Sequence, residues 1–174
     1  MANGILTQLI TGVAAGNTAQ FADPAWAREL KAWIRFNARE ADATGDGLYG
    51  PVMGSPDVPR WLGSLFMRLG FSAKRQNPKD VRHIQSSAAV AVVHSELDDI
   101  PHWIEAGRSY ERLALQAAAL DLRTAFINQP VEVPALRAQF AAFLGIGHRR
   151  PDFIVRIGRG PEMPRSRRRP VESV

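Results

Sequence analysis

The chain has 174 residues, 45% hydrophobic and 22% charged, with a formal net charge of +5. That length and balance suit one folded domain with a real core and exclude a disordered or fibrous chain. There is no cysteine, which excludes disulfides, thiolate catalysis and zinc–thiolate sites.

No lysine or arginine precedes Arg28, so the apolar start lacks the basic segment of a secretory or twin-arginine signal. No apolar run reaches the roughly 18 residues of a membrane span. The expectation is a soluble, cytoplasmic protein with no membrane partner. Residues 5–20 are small and apolar, and Gly12 and Gly16 lower helix propensity there. Asp23 followed by Pro24 predicts a helix start, an acidic N-cap and then proline at the first helical position. Trp26, Leu30, Trp33 and Ile34 recur at helical spacing, and Gly45 ends the pattern. Residues 44–59 are rich in Gly, Pro, Asp and Ser, which predicts a long loop of the kind that serves as a lid or linker. Trp61, Leu62, Leu65, Phe66 and Leu69 define one face of a short helix stopped by Gly70, and Asn77-Pro78 predicts a turn.

The second half is more regular. Ala88–Val93 is an unbroken apolar run, read as a buried strand. Ile104–Leu120 predicts a long helix with Ile104, Tyr110, Leu113, Ala117 and Leu120 inward. Thr124–Ile127 predicts a strand, Pro134–Leu144 a helix closed by Gly145, and Phe153–Ile157 a strand ending at Gly158. Strands alternating with helices imply a sheet covered by helices, with no repeat of fixed period.

The charge is unevenly placed. Residues 148–174 hold eight arginines against three acids, which is the whole excess. The remainder is balanced, which argues against a nucleic-acid coat. Within this tail, Arg165, Ser166, Arg167, Arg168 and Arg169 form a phosphate-binding candidate, because guanidinium grips phosphate oxygens through paired hydrogen bonds and keeps its charge. The same cluster also reads as a solvated tail or nucleic-acid arm. Asn128 and Gln129, at a strand end before Pro130, offer amide donors and acceptors suited to the edge of a heterocycle. The plainer alternative is a capped turn leading into the next helix.

Other patterns carry less. Gly158-Arg159-Gly160 lacks the third glycine and following helix of a dinucleotide fingerprint. His83, His94, His102 and His148 show no ligand spacing, so no metal site is expected. Ser86, Ser87 and Ser109 lack the context of an activated nucleophile. Arg108 is placed to pair with Glu111 on a solvated helix face. Trp26, Trp33 and Trp61 read as core or interface packing.

The run from Trp103 through "DLRTAFINQP", "VPALRAQFAAFLG", "RPDFIVRIGRG" and "PRSRRRPVESV" resembles the C-terminal half of FMN-dependent nitroreductases. It is most similar to a bacterial subgroup often labelled twin-arginine-pathway signal proteins. The resemblance implies an α+β fold with an antiparallel-dominated sheet wrapped by helices, and FMN at a dimer or pseudo-dimer interface. It implies that Asn128 and Gln129 face the flavin ring. Arg165 and Arg167, with Ser166 and Arg168 beside them, would then hold its phosphate. Val171–Val174 would extend a partner's sheet. The implied activity is hydride transfer from NAD(P)H through FMN to a nitro compound or quinone. No side chain is expected to act as acid, base or nucleophile, because the flavin carries the chemistry. A flavin-sequestering protein of the same fold and a binding module with a basic tail are the alternatives. Two departures from the family stand out: no arginine-rich segment opens the chain, and Asn128-Gln129 replaces a glutamate–glycine pair.

Overall fold

The computed structural model describes residues 2–166 and 169–173. In chain order they form α1 (Ala2–Ala22), α2 (Pro24–Trp33), β1 (Ile34–Arg35), α3 (Ala38–Thr44), β2 (Leu48–Tyr49), a 3-10 turn (Gly50–Met53), α4 (Arg60–Gly70) and α5 (Ala73–Gln85). These are followed by β3 (Ala89–Ser95), α6 (Ile100–Ala119), β4 (Arg123–Phe126), α7 (Gln129–Glu132), α8 (Pro134–Leu144), β5 (Arg150–Gly158) and a second 3-10 turn (Val171–Ser173). The protein is α+β, 60% helical and 14% strand, so helices rather than strands supply most of its surface. It divides into two compact units, one of Met1–Ala22 with Ala73–Gly160, the other of Asp23–Ser72 with Pro161–Val174.

The first unit is built around β5. This strand lies between β3 and β4 and is antiparallel to both, with Val92 opposite Ile154, and Ala91 and Phe126 opposite Val155. Side chains alternate across a strand, and β5 uses both faces. Ile154 packs with Leu9, Val13, Ile84, Ile127, Val131 and Phe140. Phe153 and Val155 pack with Ala106, Tyr110 and Leu113. One face is therefore covered by α1, α5, α7 and α8, the other by α6. Tyr110, Phe126 and Phe153 close the second face as an aromatic cluster with ring centroids 4.5–5.8 Å apart.

Several local expectations change. α1 is one unbroken helix of 21 residues despite its glycines. α5 runs through Asn77-Pro78. Pro78 costs one bond, to the carbonyl of Lys74, while Asn77 accepts a hydrogen bond from Asn17 of α1 at 2.9 Å. β3 is half-buried rather than fully buried, because it is an edge strand. In α6 the inward stripe is Ala106, Tyr110, Leu113 and Ala117. Ile104 stands off that stripe, Leu120 follows the last helical turn, and both are exposed. Arg108 pairs back to Glu105 at 2.6 Å, not forward to Glu111. α8 and its left-handed Gly145 cap match the sequence pattern.

In the second unit, Asp23 caps α2 as expected, accepting the Ala25 N–H at 2.7 Å. The helix ends at Trp33 rather than running to Gly45. Asn37 caps a new helix by accepting the Glu40 N–H at 2.9 Å, and the Glu40 carboxylate takes the Phe36 N–H at 3.1 Å. Two reciprocal caps satisfy donors that one continuous helix would have bonded internally. The 44–59 segment, expected as a lid, is tied down within this unit. β2 pairs with β1, Tyr49 Oη donates to Asp57 at 3.0 Å, Asp57 also accepts the Ala38 N–H at 3.0 Å, and the Val58 N–H reaches the Phe36 carbonyl at 3.1 Å. Of the three tryptophans, Trp26 stacks on Phe71 at 6.3 Å, whereas Trp33 and Trp61 are exposed.

Candidate functional site

The two amides after β4 have different duties. Asn128 Oδ1 accepts the backbone N–H of Ile154 at 2.8 Å. β4 has ended by this point, yet Ile154 is completely buried and its N–H still needs an acceptor. The Asn128 side chain replaces the missing strand carbonyl, while its main-chain carbonyl accepts from Val131 and Glu132 and opens α7. Its oxygen is thus occupied by structure, which leaves Nδ2 for any ligand.

Gln129 sits against α1. A Cβ placed on Gly16 would stand 2.5 Å from Gln129 Cβ and 2.8 Å from its carbonyl oxygen, and one on Gly12 would stand 3.3 Å from the Pro130 ring. The two glycines that weaken α1 by propensity are where the Asn128–Pro130 turn approaches its backbone. Gln129 Oε1 is buried and has no hydrogen-bond partner. A buried amide carbonyl without a donor is a destabilising feature of about 1–3 kcal/mol.

A polar seam that sequence reasoning missed continues from this turn. Asn17, 2% exposed, donates from Nδ2 to Asp80 Oδ2 at 2.7 Å as well as to Asn77. Gln76 Nε2 donates to the other Asp80 oxygen at 2.8 Å, and Gln20 Nε2 to Glu132 at 2.5 Å. The signal was present: Leu9, Val13, Asn17 and Phe21 follow one another at i,i+4, and Asn17 is the polar residue in that stripe. On the next turn of α5, burial lowers the pKa of His83, the Arg156 charge lowers it further, and Asp80 partly opposes them.

The arginine half of the expected site belongs to the second unit. Arg165 has its side chain 91% exposed and touches Glu162 at 3.5 Å, while Ser166 is half-buried. Arg167 and Arg168 lie outside the described residues. Arg169 is an anchor: it pairs with Asp46 at 3.0 Å, and Asp46 also binds the buried Arg35 at 2.8 Å. Arg35 completes its donors on Thr44 Oγ1 and the Ala32 carbonyl. The Arg35 guanidinium, helped by Arg169, holds the Asp46 carboxyl below its ordinary range. Val171–Ser173 forms a 3-10 turn, not the extended strand that would add to a partner's sheet, and Val174 lies outside the described residues.

Asn128 and Gln129 thus belong to one unit and Arg165 and Ser166 to the other, and each half of the expected site stands by itself. Among the described residues no group of three His, Asp or Glu side chains is placed to hold a metal ion. No helix among them is long and apolar enough to cross a membrane. Comparisons with protein-family models, curated proteins and solved structures find no match to this chain.

Proposed function

We propose that this chain is a flavoprotein of the nitroreductase type, with a nitroreductase-like fold, that binds FMN and passes hydride from NAD(P)H to a nitro compound or quinone. The observation that carries this reading is the buried, unpartnered carbonyl of Gln129. An isoalloxazine edge presents an imide N–H, the donor that carbonyl lacks, flanked by carbonyls that the Asn128 amide N–H groups could meet. The phosphate half fits as well. Arg165 keeps a solvent-facing guanidinium with one long contact, and Ser166, Arg167 and Arg168 add a hydroxyl and two positive charges. When bound, FMN would supply the redox chemistry. The protein's own residues would bind and orient it, and a second copy or pseudo-dimer half would complete its surroundings.

The test is reconstitution. The purified chain is mixed with FMN, desalted and examined for the absorbance of oxidised flavin. Retained flavin that bleaches with NADPH supports the enzyme. Flavin that is retained but not reduced indicates a flavin store. Arg165→Ala and Arg167→Ala should each weaken retention by about tenfold or more, the loss of one charge-assisted phosphate contact. No retention by the unaltered chain would overturn the proposal.

A further inference from the structure

A different surface is left unexplained by flavin binding. α4 has the sequence RWLGSLFMRLG, and its large apolar residues face outward: Trp61 is 70% exposed, Leu69 69%, Phe66 52% and Leu65 40%. The cause is the side on which the helix is anchored. Gly63 is buried against Phe36, so closely that a Cβ there would stand 2.1 Å from the ring. At about 100° per residue, Gly63 lies nearly opposite the Trp61–Leu65–Leu69 stripe. The helix therefore presents its apolar arc to the outside, with Ser64 and the exposed Arg68 along one border.

The charge around this arc is of one sign. From Val58 to Lys79 the sequence contains Arg60, Arg68, Lys74, Arg75 and Lys79 and no acidic residue. Arg60 is committed to Glu40 at 3.0 Å and to the Phe36 ring, so Arg68 is the cation that α4 itself offers. A second copy docking through the same helix would bring basic residues against basic residues with no acid in either α4. An anionic lipid surface meets both properties together: acyl chains accept Trp, Leu and Phe, and headgroup phosphates accept arginine and lysine.

We propose that α4 is a membrane-surface contact, lying in the headgroup region of an anionic bilayer with Trp61, Leu65, Phe66 and Leu69 inserted and Arg68 at the phosphates. It does not span the bilayer, and it stands independently of the flavin assignment.

The experiment is co-sedimentation of the full chain with vesicles of phosphatidylcholine alone and of phosphatidylcholine with about one-third phosphatidylglycerol. Binding to the anionic vesicles, weakened by added salt, is the expected result. Leu69→Gln, an exposed change whose fold is checked by circular dichroism, should weaken it about tenfold, as should Trp61→Ser, and Arg68→Glu should weaken it by several-fold. Equal binding to neutral vesicles, or none to either, overturns the proposal. Unchanged binding by Leu69→Gln also overturns it, because the arginine tail would then carry the attraction. A dimer that Leu69→Gln dissociates, without vesicle binding by the unaltered chain, identifies a second copy as the occupant instead.

Discussion

The two units hold together by different means. In the first, β5 is closed on both faces: Ile154 and Val155 have no exposed surface, and two apolar clusters meet on opposite sides of one strand. In the second, Ile34, Phe36 and Ala41 are the buried apolar side chains, while Trp33, Leu48, Met53, Trp61, Phe66 and Leu69 are exposed. Its cohesion comes from caps and ion pairs: the Asn37–Glu40 caps, the Asp57 contacts and the Arg35–Asp46–Arg169 chain. Apolar burial is a cooperative, solvent-excluding contribution of about 25 cal/mol per Å², whereas exposed ion pairs contribute about 0–1 kcal/mol each. Hydrogen exchange should divide along this line, with β5 amides opening only on global unfolding and amides of α3 and β2 opening earlier. Equal protection in both units would remove the distinction.

The sharpest way to break the first unit is Gly16→Val. Its branched side chain would enter space already filled by Gln129, and a loss of about 3 kcal/mol in chemical denaturation is expected. A loss below about 0.5 kcal/mol would mean that the α1–α7 approach is soft. Asn128→Ala should come next. It leaves the buried Ile154 N–H without an acceptor and should cost about 1–3 kcal/mol. Asn128→Asp keeps an acceptor and should recover most of that, which separates the strand-extending role of Asn128 from any contact with a ligand.

In the second unit, Asp46→Asn should loosen the tail more than it alters the core. Faster protease cleavage between residues 161 and 173, with little change in the global unfolding midpoint, is the expected outcome. Acid should act in the same direction. The Asp46 pKa is lowered by Arg35 and Arg169, so its contribution is present above the ordinary carboxylate range and is lost as pH falls through the lowered value. The smallest effect belongs to His83, whose pKa is lowered chiefly by burial. A lowered histidine pKa favours the neutral ring in the folded state, so stability should decline as pH drops below about 6.5, the ordinary value. His83→Gln should flatten that segment of the stability–pH profile.

Much of the fold was legible where a local pattern and a tertiary requirement coincided. Pro134–Leu144 with its glycine stop, the Asp23-Pro24 start and the β4 and β5 strands follow from caps and periodicity alone. α1 and α5 did not, because Gly12, Gly16 and Pro78 oppose helix locally and are outweighed by packing between elements distant in the chain. Of the candidate site, the Asn128-Gln129 turn was legible as a polar strand end. That Asn128 serves the β5 backbone while Gln129 Oε1 lacks a donor was not, since both depend on which strand lies alongside. Arg169 read as one more basic residue in a cluster until Asp46, 123 positions away, claimed it.

Composition and periodicity by themselves determined that this chain folds as α+β without disulfides, that its positive excess lies near its C-terminal end, and that α4 is amphipathic. These are properties of single residues or of neighbours along the chain, and they need no partner to be read. The tertiary structure decided which side of each pattern faces inward. Gly63 against Phe36 turned the apolar arc of α4 outward, Gly16 against Gln129 made a weak helix the support of the polar turn, and Ile154 drew Asn128 into the sheet. Each depends on the close approach of one backbone to another, and contact between segments far apart in sequence is written in neither segment alone.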